Sequence, residues 1–218
     1  MSEPGHRADA GLELRALACG AGYRTLFDGL DLHVAPGQWA ALVGPNGTGK
    51  STLLRALAGL TPPLRGEIRW RGRVRRAGSL PWRADCLYQG HAAGWKDNLS
   101  TEENLRLQAA LDGTLPAGGA VAEHLARVGL ARQARLPFMR LSAGQRRRLS
   151  LARLSLSRRP LWLLDEPGTA LDTDGQARLT ELLDEHLARS GIAVIATHQP
   201  LASSVPPVSC SLQPWAPR

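Results

Sequence analysis

The run from Gly44 to Thr52 has the residue types of a phosphate-binding loop. It reads Gly-Pro-Asn-Gly-Thr-Gly-Lys-Ser-Thr and fits the pattern G-x-x-x-x-G-K-[ST]. Glycines allow backbone N–H groups to point inward around a phosphate chain. Lys50 would supply positive charge and a catalytic contact to the outer phosphates, and the Ser51 hydroxyl would bind Mg²⁺. The residues predicted to bind the nucleotide are Gly44, Pro45, Asn46, Gly47, Thr48, Gly49, Lys50, Ser51 and Thr52.

Two adjacent carboxylates, Asp165 and Glu166, follow the apolar run Leu161–Leu164. Four apolar residues in succession predict a buried strand, and successive strand residues point to opposite faces, so the two carboxylates must differ in their tasks. We expect Asp165 to hold Mg²⁺, directly or through water, and Glu166 to polarise the water that attacks the γ-phosphate. An acidic pair at a strand end is weak support for catalysis alone, and it gains weight from lying downstream of a phosphate-binding loop.

A third motif, Leu141–Arg148, reads Leu-Ser-Ala-Gly-Gln-Arg-Arg-Arg. Ser142, the Gly144 backbone and the start of the next helix would form a second anion-binding corner. An ordinary helix cap of the Ser-x-x-Gln type explains the same residues locally. A helix cap does not explain why the three motifs follow one another in this order: first the phosphate-binding loop, then the Ser-Ala-Gly-Gln run, then the carboxylate pair.

The elements around the loop have the pattern needed to position it. Trp39–Val43 is a short apolar run that predicts a buried strand. Thr52–Ala58 has helical apolar spacing and ends at Gly59, a helix stop. A strand, a glycine loop and a helix in this order place the loop at a helix N-terminus, which attracts anions.

The rest of the chain alternates between strand and helix patterns. Short apolar runs separated by turn residues, including a turn at Gly20–Gly22, predict a small antiparallel sheet over the first 35 residues. A helical segment from about Ser100 to Pro160 then interrupts a parallel α/β sheet. The further predicted strands are Gly66–Gly72, Ala84–Tyr88 and Ile192–Ala196. The predicted helices are Asn104–Leu111 behind a capping box at Ser100–Glu103, Ala120–Leu130, Ser142–Leu156 and Gln176–Ser190.

Length and composition favour one soluble domain. The 218 residues suffice for a full core, and no stretch approaches the roughly 20 apolar residues of a membrane span. The polar segment Met1–Asp9 lacks the apolar core of a signal peptide, so a cytoplasmic protein is expected. The cysteines Cys19, Cys86 and Cys210 are too far apart in sequence to indicate a zinc site or a disulfide framework.

The net charge of +8 comes almost entirely from arginine, since Lys50 and Lys96 are the only lysines. Basic clusters at Arg69–Arg76 and Arg146–Arg148 have no platform of interleaved aromatic residues and no recognised nucleic-acid motif beside them. We therefore expect no nucleic-acid partner, and we interpret these clusters as a solvated face or as a weak attraction to a membrane surface.

Leu141–Arg148 resembles the L-S-G-G-Q signature of ABC ATPases, with Ala143 in place of the first glycine. The resemblance implies an α/β fold: a P-loop NTPase (ABC ATPase) core with an N-terminal antiparallel β-subdomain and a helical insert subdomain. Residues 1–90 and 161–218 would form the catalytic core, and residues 91–160 would form the helical subdomain that carries the signature.

The resemblance also implies that two ATP molecules lie between head-to-tail copies of the chain. Ser142, Gly144 and Gln145 of one copy would then contact the ATP held by the loop of the other. Ala170–Asp172 matches the D-loop, which links the two sites, and His198 matches the switch histidine that contacts the γ-phosphate.

Two positions of the family pattern stay open. The glutamine that usually precedes the helical insert, and that senses Mg²⁺ and the attacking water, falls on His91, while Gln89 lies two residues earlier. The aromatic residue that stacks on adenine is either Tyr23 or missing, since the usual spacing falls nearer Ala21.

The segment Gly90–Lys96, followed by Leu99–Ser100 and Glu103–Leu105, resembles the haem-exporter ATPases of bacterial cytochrome c maturation. Gly168 departs from the phenylalanine common there, which should loosen packing beside the carboxylate strand. The resemblance implies ATP and Mg²⁺ as cofactors, integral membrane subunits as partners, and an indirect link to a haem chaperone. It places the chain at the cytoplasmic face of the bacterial inner membrane. The alternatives are an ABC transporter with a different cargo and a soluble ABC ATPase acting on nucleic acid or ribosomes.

Overall fold

The computed structural model describes residues 11–75, 80–90, 94–114 and 119–213. The N-terminal part forms an antiparallel sheet in which the strands lie in the order β2-β1-β4-β5. These strands are β1 (Leu12–Ala21), β2 (Arg24–Val34), β4 (Arg65–Trp70) and β5 (Arg73–Val74). The predicted antiparallel sheet is confirmed, although β1 runs through Gly20 and Ala21, and the hairpin turns only at Gly22 and Tyr23. Gly22 has a φ of 58°, which suits a tight turn.

The second sheet is parallel and has the order β6-β7-β8-β3-β9. Because parallel strands end at the same edge, the loops after β3, β7 and β8 meet there. The strands are β3 (Trp39–Val43), β6 (Cys86–Gln89), β7 (Leu161–Asp165), β8 (Ile192–Ala196) and β9 (Val208–Ser211). β3 and β8 match the predicted bounds, and β9 was not predicted from the sequence.

Helices flank the parallel sheet and fill the interval between β6 and β7. They are α1 (Lys50–Leu57), α2 (Leu80–Asp85), α3 (Thr101–Leu111), α4 (Ala120–Arg127), α5 (Ala143–Leu156) and α6 (Thr173–Ala188). The predicted strand at Ala84–Tyr88 was partly wrong, since residues 84 and 85 end α2 and β6 begins at Cys86. α6 begins three residues before the predicted Gln176 because Asp172 caps it by accepting a hydrogen bond from the Gly175 N–H.

Two apolar clusters pack on opposite faces of the parallel sheet. In β7 every residue is buried, as a central parallel strand requires. Its alternation sends Leu161 and Leu163 toward the cluster that includes α1 and the antiparallel sheet, and Trp162 and Leu164 toward the cluster formed with α3 to α6. This packing fixes which side Asp165 faces at the end of β7. Within the ranges given above, no helix is long and apolar enough to cross a bilayer.

Candidate nucleotide site

The loop after β3 requires glycine at two positions for steric reasons. Gly44 has a φ of 143°, and a Cβ there would lie 2.3 Å from the Leu212 carbonyl oxygen. Gly49 has a φ of 102°, and a Cβ there would lie 2.9 Å from the Phe27 ring. Both positions therefore exclude other side chains, and the loop shape depends on contacts with the antiparallel sheet and with the residue after β9.

The loop is held together by its own side chains. Lys50 Nζ donates hydrogen bonds to the carbonyl oxygens of Gly44 at 2.7 Å and Pro45 at 3.0 Å. Thr48 Oγ1 donates to the Pro45 carbonyl oxygen at 3.0 Å. Lys50 is nearly buried, so its ammonium group is fixed against the loop and close to where a phosphate chain would lie.

The start of α1 is open to an anion. Its N-cap is Gly49, which offers no side-chain acceptor, and its first turn contains no acidic residue. The first-turn N–H groups of a helix have no partner within the helix, and the helix dipole makes this end positive. The residue types at this end thus leave donors and positive potential for a phosphate group.

A cavity of about 710 Å³ lies in front of the loop and the ends of β7 and β8. The loop contributes Asn46, Gly47, Gly49, Lys50, Ser51 and Thr52 to its lining, and the sheet edge contributes Asp165, Glu166 and His198. Side chains that are far apart in sequence therefore line one volume. Leu26, Thr173 and Gln176 also line it and were not selected from the sequence, because nothing in their spacing marks them.

Asp165 is the last residue of β7 and Glu166 lies beyond it, so the strand alternation expected for the pair does not extend to Glu166, and both residues line the cavity. Asp165 is buried at the strand end, and Glu166 follows with a φ of 50°, in the left-handed region. The Glu166 N–H donates to the Ala196 carbonyl oxygen at 2.9 Å. One carboxylate oxygen, Oε1, lies 3.3 Å from His198 Nε2 and is buried without accepting any hydrogen bond from the residues that the structure describes. This arrangement leaves a carboxylate lone pair free to take a proton.

The oxygen ligands at the cavity fit a magnesium ion. The Ser51 hydroxyl and the Asp165 carboxylate both line the volume that also contacts Lys50. Mg²⁺ prefers oxygen ligands and binds through one or two protein groups together with phosphate oxygens and water. The described residues contain no group of three metal-ligating His, Cys, Asp or Glu side chains, so a metal held only by the protein is not indicated for them.

The start of α5 lies outside this cavity. Ser142 is its exposed N-cap, and Ser142 Oγ accepts a hydrogen bond from the Gln145 N–H at 3.2 Å. In return the Ser142 N–H donates to Gln145 Oε1 at 2.9 Å, which completes a capping box. The helix-cap interpretation of these residues is therefore correct as local geometry, and Ser142, Gly144 and Gln145 remain predicted contacts for a nucleotide bound elsewhere.

The family pattern left two positions open in the sequence: the aromatic residue that stacks on adenine and the glutamine before the helical insert. Tyr23 is fully exposed at the β1–β2 turn and is not among the described residues that line the cavity, so adenine stacking stays a prediction. His91 lies outside the described residues. The Gln89 side chain is buried at the end of β6, and neither of its amide atoms has a hydrogen-bond partner within the part of the chain that the structure covers.

The cluster Arg146–Arg148 differs from the solvated face that the sequence suggested. Arg146 donates to the carbonyl oxygens of Leu141 and Met139. Arg147 donates to the carbonyl oxygens of Glu166 and Thr169. Arg148 forms an ion pair with Asp172, with an N–O distance of 2.7 Å. Arg147 and Arg148 connect α5 to the segment after β7 through partners 19 to 24 residues away, which no local spacing reveals, whereas the carbonyl groups bound by Arg146 lie five and seven residues away.

Comparisons with known proteins agree with the fold. A family model for ABC transporters matches residues 27–169. A cytochrome c biogenesis ATP-binding export protein of Cupriavidus metallidurans is 48% identical over 89% of this chain and 92% of the relative. The protein of the same description from Methylococcus capsulatus is 46% identical over 89% of this chain and 94% of the relative.

Solved structures show the same fold. A putative ABC transporter ATP-binding protein from Pyrococcus furiosus superposes with a TM-score of 0.79 over 93% of this chain and 98% of that chain, at 24% identity. An ATP-binding subunit of an ABC transporter gives a TM-score of 0.75 at 27% identity, over 87% of this chain and 80% of that chain. The predicted fold class is confirmed. The chain belongs to the ABC transporter ATP-binding family and, within it, to the cytochrome c biogenesis ATP-binding export proteins.

Proposed function

We propose that this chain is the ATP-hydrolysing subunit of an ABC transporter complex for cytochrome c biogenesis. ATP hydrolysis would be coupled to haem export or to release of a haem-loaded chaperone. The observation that carries the ATPase assignment is the placement of Lys50, Asp165, Glu166 and His198 around one cavity. The cargo assignment is supported by the 46–48% identity to relatives described as cytochrome c biogenesis ATP-binding export proteins.

The chemistry follows from the positions of these side chains. Lys50 and the start of α1 would bind the phosphates, and Ser51 and Asp165 would hold Mg²⁺, which would neutralise charge on the phosphate oxygens. Glu166 takes the proton of the attacking water through its free carboxylate lone pair. His198 lies 3.3 Å from that carboxylate at the same cavity, which supports its role as the histidine that would contact the γ-phosphate.

The cycle requires partners. The start of α5 is exposed and outside the cavity, which supports completion of the site by Ser142, Gly144 and Gln145 of a second copy in a head-to-tail dimer. In this proposal residues 91–160 act as a helical subdomain that carries the α5 start. Integral membrane subunits would dock near it and hold the chain at the cytoplasmic face of the inner membrane.

The ATPase assignment is tested by Glu166→Gln. We expect hydrolysis to fall by roughly 100-fold or more, because no carboxylate takes the water proton, while ATP binding persists and an ATP-bound dimer accumulates. Phosphate release and size-exclusion chromatography with ATP measure the two effects. Glu181→Gln, an exposed position on α6, is the matched control. Hydrolysis by Glu166→Gln at the wild-type rate would contradict the role of Glu166.

The cargo assignment has a separate test. Deleting the gene in the organism that encodes it should remove c-type cytochromes from the membrane fraction. If those cytochromes persist, the haem assignment fails while the ATPase assignment stands. The alternative, an ABC transporter with another cargo, is then distinguished by the membrane subunit that co-purifies with the chain.

A further inference from the structure

Arg147 in the second turn of α5 reaches back to the segment that follows β7. Its Nε donates a hydrogen bond to the Thr169 carbonyl oxygen at 3.0 Å, and its Nη2 donates to the Glu166 carbonyl oxygen. Burial lowers the pKa of the guanidinium, and the carboxylates of Glu166 and Asp165 counteract that shift. An arginine stays protonated in such surroundings, so both bonds are charge-assisted.

The segment held by these bonds is conformationally strained. Glu166 and Ala170 have φ values of 50° and 63°, in the left-handed region that costs energy for residues other than glycine. Such conformations persist only where surrounding contacts enforce them. The Thr169 N–H also donates to the Glu166 carbonyl oxygen, at 3.3 Å, so Arg147 braces a turn whose first residue carries the catalytic carboxylate.

The same helix is attached to the far end of this segment. Arg148 forms ion pairs with Asp172 at 2.7 Å and Asp174 at 3.1 Å. α5 therefore contacts the chain from Glu166 to Asp174 at both ends, and its own first residues are the signature corner. A displacement of α5 would be transmitted directly to the backbone of Glu166.

We infer that Arg147 is a positioning residue for ATP hydrolysis. By bridging the carbonyl oxygens of Glu166 and Thr169, its planar guanidinium keeps Glu166 in the conformation that directs its carboxylate into the cavity. This inference rests on the proposed function, and it adds a connection within one chain between the signature corner and the residue that activates water. The bridge needs two donors in a fixed plane, which distinguishes arginine from lysine at this position.

The test compares Arg147→Gln, Arg147→Lys and the control Arg178→Gln, whose arginine pairs with Glu181 on the surface of α6. For Arg147→Gln we expect kcat to fall by roughly 100-fold, the loss associated with a misplaced catalytic group, with KM for ATP unchanged. Arg147→Lys should recover part of kcat because an ammonium group can still donate to one carbonyl. Arg178→Gln should behave as wild type.

A double variant separates positioning from a structural role. Adding Arg147→Gln to Glu166→Gln should cause no further loss in single-turnover hydrolysis, because Arg147 acts through Glu166, and the ATP-trapped dimer should still form. A further loss in the double variant, or a raised KM with kcat unchanged, overturns the inference. If Arg147→Gln unfolds at a lower temperature than wild type, the kcat and KM comparison is made with Arg147→Lys instead, because that variant keeps the positive charge. Absence of wild-type hydrolysis would instead overturn the proposed function.

Discussion

The helices α1 and α5 both begin at a predicted phosphate contact, yet their first residues are built in opposite ways. α1 starts at Gly49 with no side-chain cap, so its first-turn N–H groups are left for a ligand. α5 starts at Ser142 with a complete capping box, so one of those donors is already used by its own chain. One chain thus combines an uncapped helix start at α1 with a capped helix start at α5, where part of the hydrogen-bonding capacity is already used.

The start of α3 has the same capping box as the start of α5, but it carries negative charge. It begins with the same capping box, formed by Ser100 and Glu103, and has a second acid, Glu102, in its first turn. α5 has the neutral Gln145 in the equivalent position and no acidic residue in its first turn. The two helix starts have the same pattern of hydrogen bonds. They differ in charge, because a phosphate at α3 would be repelled by carboxylates, whereas a phosphate at α5 would not. Residue choice at the third helical position therefore separates a purely structural cap from one that tolerates an anion.

The largest effect is expected at α1. Lys50→Ala removes both the charge for the phosphates and the two bonds to the Gly44 and Pro45 carbonyls. We expect ATP hydrolysis to fall by roughly 100-fold or more, as when one transition-state donor is lost. Phosphate release measures this, with Arg55→Ala on the exposed side of the same helix as the control. Turnover within a factor of a few of wild type would mean that α1 does not hold the phosphates.

Gln145→Glu makes the α5 start resemble the α3 start. The capping box is retained, so the free energy of unfolding should change by less than about 0.5 kcal/mol. The new carboxylate should weaken ATP-dependent association about tenfold, or about 1.4 kcal/mol, when measured by sedimentation in the Glu166→Gln background. Glu103→Gln is the reciprocal control and should leave association unchanged. Equal association of all these variants would argue against a phosphate at α5.

Ser142→Ala and Ser100→Ala form a matched pair. Each removes an N-cap oxygen and should lower the free energy of unfolding by about 1 kcal/mol. Only Ser142→Ala should also weaken the ATP-dependent dimer. Urea denaturation and sedimentation give the two quantities, and a loss of association with Ser100→Ala would show that helix fraying alone explains the effect.

The smallest expected difference between the starts of α3 and α5 is in their response to pH. Hydrogen bonds from the Ser100 side chain and backbone hold the pKa of Glu103 below its usual 4.5. A depressed carboxyl pKa stabilises the fold above the unfolded value, and this contribution is lost as the pH falls through the folded value. Between pH 6 and pH 3 the NMR shift of the Ser100 amide should therefore titrate, while that of Ser142, bonded to a neutral amide, should not. A pH-dependent shift of the Ser142 amide would contradict the proposed difference between a charged cap at α3 and a neutral cap at α5.

The sequence revealed those parts of the site that are contiguous. The loop, its strand and its helix have local patterns, and the capping box at Ser142 depends on residues three apart. The bonds from Arg147 to Glu166 and Thr169 were not predictable, because they join residues about 20 apart that approach only once α5 packs beside the sheet. The Ser51, Asp165 and Glu166 roles stay predictions from residue type, although their placement at one cavity supports them.

Two elements were missed for reasons of composition. β9 contains two serines and a cysteine beside one valine, so its strand character comes from pairing with β3 rather than from apolar alternation. α2 has Pro81 near its start, which suggests a loop but is tolerated in a first helical turn. In both segments the secondary structure is determined by contacts with the rest of the fold and not by local residue propensity.

The pairing of β3 has a consequence for synthesis of the chain. β3 is made early, yet both of its sheet neighbours, β8 and β9, lie more than 150 residues later in the sequence. A ribosome therefore releases the phosphate-binding segment long before the strands that flank it exist. ATP binding should be acquired only after residues 192–211 emerge, and chains stalled before that point should be unable to bind nucleotide.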